Sequence, residues 1–257
     1  MKIVYTSRYE ERYLTNPVEN PDRVRLAAEE LRRAGYELVE PSCCTIEDLS
    51  RVHGREHIEL VRRTGPFEAA CWAVGGAIRA AEIALSGEPA FALVRPPGHH
   101  ASANRAWGMC FFNNIAVALK RVRSAARDIL IIDMDLHYGD GTVGIFRGDS
   151  YVRIVNPGSV DANFDYLTLD ADGYKRQIES ALDSHPFELL GVSAGFDTYI
   201  EDWGGLLSQE DYEDIGWMLA EASRRCSGRR FAVLEGGYHP DLRFNIMRFI
   251  KGFSEDI

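Results

Sequence analysis

Apolar residues in this chain gather in short runs at residues 90–94, 129–132, 189–193 and 231–234, with Gly or Pro close to both ends of all but the second. A further run, Met1-Lys2-Ile3-Val4-Tyr5, opens the chain. Apolar runs of this length without alternation read as strands buried on both faces of a parallel sheet. Helix-like segments lie between them. Asn20-Pro21-Asp22 opens a helix through Ala34, with Gly35 as its stop. Residues 67–85 form a long Ala-rich helix followed by Gly87, and residues 114–122, 174–182 and 209–225 supply three more, the last capped by Ser208. Strands alternating with helices give an α/β fold, three layers deep (α/β/α) on a mostly parallel central sheet. No repeat, low-complexity stretch or linker interrupts this order, so residues 1–257 are expected to form one domain.

Composition narrows the class only slightly. Hydrophobic residues make up 46% and charged residues 26%, as in an ordinary soluble globular protein. A formal net charge of −10 argues against sequence-independent binding to nucleic acid, which needs a basic face. No apolar run reaches spanning length and the first five residues read as a strand, so neither a membrane segment nor a leader is expected. Cys43, Cys44, Cys71, Cys110 and Cys226 are odd in number and lack zinc-knuckle spacing, which points to a reducing cytoplasm. Oligomeric state leaves no mark in the sequence.

What changes the picture is the residues that follow four of the runs. Residues 90–94 lead into Arg95-Pro96-Pro97-Gly98-His99-His100, and 129–132 into Asp133-Met134-Asp135-Leu136-His137-Tyr138-Gly139-Asp140. The other two lead into Gly195-Phe196-Asp197 and Glu235-Gly236-Gly237-Tyr238. Ligands bind parallel sheets outside the carboxyl ends of the strands, so these four loops should converge. Asp135 and His137, two apart in extended chain, can point to one side, and Asp197 adds a third ligand. Two carboxylates and one imidazole suit a catalytic zinc with an open position. His99 and His100 would supply the base, with Asp133 and Asp140 as the carboxylates available to fix their tautomers. Tyr238 would donate its hydroxyl to a developing oxyanion. Together these parts describe zinc-assisted hydrolysis of an amide.

The chain resembles the zinc-dependent histone deacetylase family, which includes acetylpolyamine amidohydrolases and acetoin-utilisation proteins, on the arginase–deacetylase fold. The resemblance runs from Asn20-Pro21-Asp22-Arg23 to Gly236-Gly237-Tyr238-His239 and rests on Pro97-Gly98-His99-His100, Gly108-Met109-Cys110-Phe111-Phe112-Asn113-Asn114, the Asp133–Asp140 loop and the Glu235–Tyr238 loop. It implies zinc on Asp135, His137 and Asp197, His100 as the main general base with His99 its electrostatic partner, and Tyr238 as the oxyanion donor. It also implies a potassium ion held by Asp133 and nearby carbonyls, Arg23 near the acetate pocket, and Gly108 lining an acyl-lysine tunnel. Two-manganese arginases differ: Gly139 and Tyr199 stand where they carry further metal-binding carboxylates.

Several departures from the family pattern bear on function. Met109 replaces a tunnel-lining Phe, which makes one wall flexible. Only Thr64-Gly65-Pro66-Phe67-Glu68 stands where eukaryotic members have a longer rim loop with a substrate-gripping Asp. Gly204 occupies the place of a polyamine-selecting Glu. Arg153 aligns with a small Ser that helps bind the cation, so its guanidinium is expected either to replace potassium or to point outward from an edge. The leading reading is a deacetylase acting on an acetylated amine such as acetyl-lysine. An acetylpolyamine or other small-amide hydrolase and a silent acyl-amine binding module are the alternatives, and retention of His99, His100 and Tyr238 weighs against the last.

Overall fold

The computed structural model describes residues 1–161, 163 and 165–254. Its strands are β1 (Lys2–Val4), β2 (Glu37–Val39), β3 (Ala90–Ala92), β4 (Ile129–Asp133), β5 (Val152–Val155), β6 (Leu189–Ala194) and β7 (Arg230–Leu234). They form one sheet in the order β2-β1-β3-β7-β6-β4-β5, and every neighbouring pair is parallel. β3, β4, β6 and β7 are buried along their whole length, as unalternating apolar sequences require, whereas the edge strand β2 is half-exposed.

The helices are α1 (Asp22–Arg33), α2 (Ile46–Ser50), α3 (Arg55–Thr64), α4 (Phe67–Leu85), α5 (Asn114–Val122), α6 (Asp140–Ile145), α7 (Ala171–Ser184), α8 (Gln209–Ser223) and α9 (Leu242–Phe253). Local chemistry fixes several starts. The Asn113 side chain accepts from the Ala116 N–H to begin α5, and Ser208 with Asp211 forms a reciprocal capping box at α8. α4, mostly Ala and Gly on its buried face, lies close against β1, β3 and β7. α3 runs through to Thr64 and α4 starts at Phe67, so the rim between them is Gly65-Pro66 alone.

The consequence for function is one of adjacency. β3, β7, β6 and β4 are consecutive in the sheet, and each carries one of the four loaded loops at its carboxyl end. Side chains from sequence positions as far apart as His99 and Tyr238 therefore meet on one edge of the sheet.

Candidate metal centre and active site

Beyond β4 the backbone turns through a series of N–H···carboxylate bonds. The Asp135 N–H donates to Asp133 Oδ1 at 3.3 Å and the His137 N–H to Asp135 Oδ1 at 3.0 Å. From the neighbouring strand, Asp197 Oδ1 accepts the Leu136 N–H at 2.9 Å, and Asp135 Oδ2 accepts the Gly236 N–H at 2.8 Å. These bonds aim three side chains at one point: the donor atoms of Asp135, His137 and Asp197 all lie within 4.8 Å of one another. His137 Nδ1 stands 3.1 Å from Asp135 Oδ1 and 3.1 Å from Asp197 Oδ2. Two ligands about 2.0 Å from a tetrahedral zinc are about that far apart.

The cluster fits a divalent cation on three further grounds. Asp197 Oδ2 is buried, and its one polar side-chain neighbour, His137 Nδ1 at 3.1 Å, stands equally close to Asp135 Oδ1, so the oxygen has no hydrogen bond of its own. Burial raises the Asp197 carboxyl to about 7, with the Asp135 charge adding to the effect. Burial also opposes charge on His137, but the two carboxylates overcome it and hold the imidazole up at about 10. The space itself excludes a side chain at 236, where a Cβ would lie 2.5 Å from Asp135 Oδ2 and 2.8 Å from Asp197 Oδ2. A cation between these groups satisfies all of them.

The two histidines are held differently. His99 is buried with Nδ1 3.1 Å from Asp133 Oδ2, and His100 Nδ1 lies 2.8 Å from Asp140 Oδ1. Burial disfavours charge on both. For His99 the carboxylates of Asp135 and Asp133 win and raise it well above its ordinary value. For His100 burial prevails, the neighbouring His99 adds to it, and the group falls to about 4. The two imidazoles are thus pushed in opposite directions, with 4.0 Å between their ring centres.

A cleft of about 510 Å³ opens above this floor, lined among others by His100, Trp107, Gly108, Met109, Trp203 and Tyr238, with Leu14 at its rim. Gly108 has φ +63°, and a Cβ there would sit 3.3 Å from the His100 ring, so this wall requires glycine. His53 pins the loop that carries Trp107–Met109 at both stems. Its Nδ1 donates to the Ser102 carbonyl at 3.0 Å, and its Nε2 accepts the Asn113 N–H at 3.0 Å. Tyr238 lies with its ring 4.4 Å from that of Trp203 on one side and 4.9 Å from the Arg23 guanidinium on the other. Asp202 Oδ2 accepts the N–H groups of both Tyr238 and His239.

Asp135, His137, Asp197, His99, His100, Asp133, Asp140, Tyr238, Gly108 and Met109 are thus brought together. Arg23 is not a cleft residue. It is buried behind Tyr238, donating to the carbonyls of Gly237 at 2.7 Å and Glu235 at 2.6 Å with its guanidinium against the Tyr238 ring, and the two residues line a separate cavity of about 220 Å³. Of the two placements expected of Arg153, the structure shows the one that points away from the cation site, and the replacement of potassium is corrected. Arg153 pairs with Leu130, three residues before Asp133, and its guanidinium bonds the carbonyls of His185 and Pro186 at the opposite, amino-terminal end of β6. The residue beyond β5, Asn156, comes near Asp133 instead, accepting the Gly139 N–H at 2.8 Å.

Sequence reasoning missed Trp107, Trp203 and Asp202, and gave Glu235 no role although it opens one of the four loops. Glu235 is buried beneath the site, raised by that burial to about 7, and accepts the N–H groups of Gly98 and His99. With His99 and Cys110 it forms a second group of possible metal donors, but Nδ1 of His99 is already engaged by Asp133.

Known proteins bear on this site. Residues 17–157 match the histone deacetylase domain. A protein of Methanothermobacter thermautotrophicus named "Probable deacetylase" is 30% identical over 99% of this chain and 91% of its own length. The mouse (Mus musculus) protein named "Polyamine deacetylase HDAC10" is 31% identical over 86% of this chain and 42% of its own. Among solved structures, the HDA15 HD domain superposes with a TM-score of 0.83 at 25% identity, covering 98% of this chain and 90% of that one.

Proposed function

The chain belongs to the histone deacetylase family and is a deacetylase; from that premise we propose that it uses one zinc ion to hydrolyse an acetylated amine, with acetyl-lysine the leading substrate. The observation that carries this reading is the convergence of Asp135, His137 and the unpartnered Asp197 oxygen on the floor of a cleft walled by His100. Asp135, His137 and Asp197 would hold the zinc, which when bound polarises the acyl carbonyl and acidifies water.

The chain's own groups do the rest. His100, neutral and with Nδ1 engaged by Asp140, presents Nε2 to take a proton from the attacking water and return it to the leaving amine. His99, held between Asp133 and Asp135, serves as the electrostatic partner of His100. Tyr238 donates its hydroxyl to that oxyanion, and Arg23 and Asp202 position it by gripping the Glu235–His239 backbone. The products are acetate and the free amine.

Gly108 and Met109 would line the path of the substrate's alkyl chain. The two-residue rim at Gly65-Pro66 offers little to grip a peptide backbone, which keeps acetylpolyamines and other small amides as the second reading. With Arg153 turned away, a potassium ion beside Asp133 stays part of the proposal. We place the protein in the cytoplasm on its five free cysteines, as one catalytic domain that does not bind nucleic acid. No described helix is long and apolar enough to cross a membrane. The test is turnover by zinc-loaded protein of a panel of acetyl-lysine peptides, acetylpolyamines and short amides. Folded, loaded protein that hydrolyses none of them, yet binds one, is a binding module.

A further inference from the structure

Met109 leaves the cleft wall beside His100 without a ring, and the structure fills that place from two residues upstream. The Trp107 indole lies over the His100 imidazole with ring centres 3.8 Å apart and planes inclined by 30°. His99 covers another part of the same imidazole at 4.0 Å. The indole N–H is shared between both oxygens of Asp140, at 3.1 and 3.0 Å. That carboxylate is the one that receives His100 Nδ1 at 2.8 Å. Trp107 is only 37% exposed and lines the cleft, so one edge faces entering substrate while the rest rests on the proposed base and its carboxylate. Its backbone is fixed as well: the Cys110 N–H donates to its carbonyl at 3.3 Å, within a loop whose stems His53 pins.

We infer that Trp107 is a positioning and specificity-determining residue, at once the aromatic wall for the substrate's alkyl chain and the third member of the His100–Asp140 pair. The inference rests on the deacetylase reading, in which His100 is the base. A carboxylate that accepts from two donors has fewer orientations than one that accepts from one. Removing the indole N–H alone frees Asp140 to rotate and loosens His100, while a phenyl ring keeps the apolar wall. The two duties therefore separate in kinetics: the N–H acts on turnover and the ring on substrate affinity.

The experiment is a double-mutant cycle with zinc-loaded enzyme on the substrate that the wild type turns over best, with thermal stability and bound metal measured for each variant. Trp107→Phe is expected to lower kcat on the order of tenfold with KM within about twofold. Trp107→Leu, which also loses the ring, is expected to raise KM on the order of tenfold in addition. Because Trp107 acts through Asp140, adding Trp107→Phe to Asp140→Asn should change kcat by less than about twofold beyond Asp140→Asn alone. A purely packing role for the indole would lower stability and active fraction in both backgrounds alike. Effects that multiply in the double variant, or a Trp107→Phe enzyme with wild-type kcat, overturn the inference while leaving the deacetylase reading intact. If Trp107→Phe does not fold, Trp107→Leu takes its place in the same cycle with the same criterion. A folded, loaded wild type without turnover on any acylated amine overturns both.

Discussion

Tyr238 and Asp197 show how differently single residues can serve one site. Tyr238→Phe removes only a hydroxyl from a ring already clasped by Trp203 and Arg23, so the fold should be untouched. We expect kcat to fall about a hundredfold or more with little change in KM, measured by steady-state kinetics on the preferred substrate. Asp197→Ala instead removes the buried oxygen that has no other partner, and purified protein should lose its roughly one equivalent of zinc by elemental analysis. Full occupancy in that variant would remove Asp197 from the ligand set. Side chains of this kind were legible in the sequence because Asp and His after an apolar run carry their chemistry in their type. Trp107 and Trp203 were not, since an aromatic residue in a loop gives no sign of which ring it will cover. Asp202 was hidden for a related reason: its partners are backbone N–H groups 36 and 37 residues away.

At the scale of elements, the loop stem pinned by His53 makes a pH prediction. Burial, with His57 adding to it, lowers His53 to about 4, and Nε2 must stay unprotonated to accept the Asn113 N–H. The unfolded chain binds a proton near pH 6.5, so it gains on the folded one as acid is added. The stability this histidine contributes is therefore complete above about 6.5 and is lost between there and about 4, on the order of 3 kcal/mol in total. His53→Phe should be less stable than wild type at pH 7.5 yet show a shallower loss of Tm between pH 6.5 and 4.5. Equal slopes would detach the acid sensitivity from this residue. Arg153, bonded to two carbonyls at the far end of β6, makes the opposite kind of prediction. Arg153→Ser should leave the potassium dependence of activity unchanged, and a new dependence in that variant would restore the guanidinium to the cation site. Buried strands and long helices were readable from pattern. β2, with Glu37 exposed and Leu38 and Val39 half-buried, and β5, interrupted by Arg153, lack the unbroken apolar run that betrays a central strand. α9 also escaped, because no side-chain cap marks its start although its buried residues 242, 246, 249, 250 and 253 keep helical spacing.

For the whole molecule, a cation that binds only the folded chain must shift the folding equilibrium. Zinc at about a hundred times its dissociation constant should raise Tm by roughly 5–10 °C, and a chelator should reverse the rise. Asp197→Ala should be indifferent to both, and a wild type indifferent to zinc would mean that the three side chains hold no ion. The α/β class and the convergence of four loops were legible because alternation and strand ends are local signals. Which loop would lie beside which was not, because the order β3-β7-β6-β4 is a property of the finished sheet. That order also sets a timetable. His99 leaves the ribosome well before the residues that complete its surroundings, and Asp135 receives its last backbone donor only when Gly236 has been synthesised and β7 has slipped between β3 and β6. A chain that stops short of Gly236 carries the three ligands without that donor and without Tyr238, so it is expected to hold metal less firmly and to lack turnover.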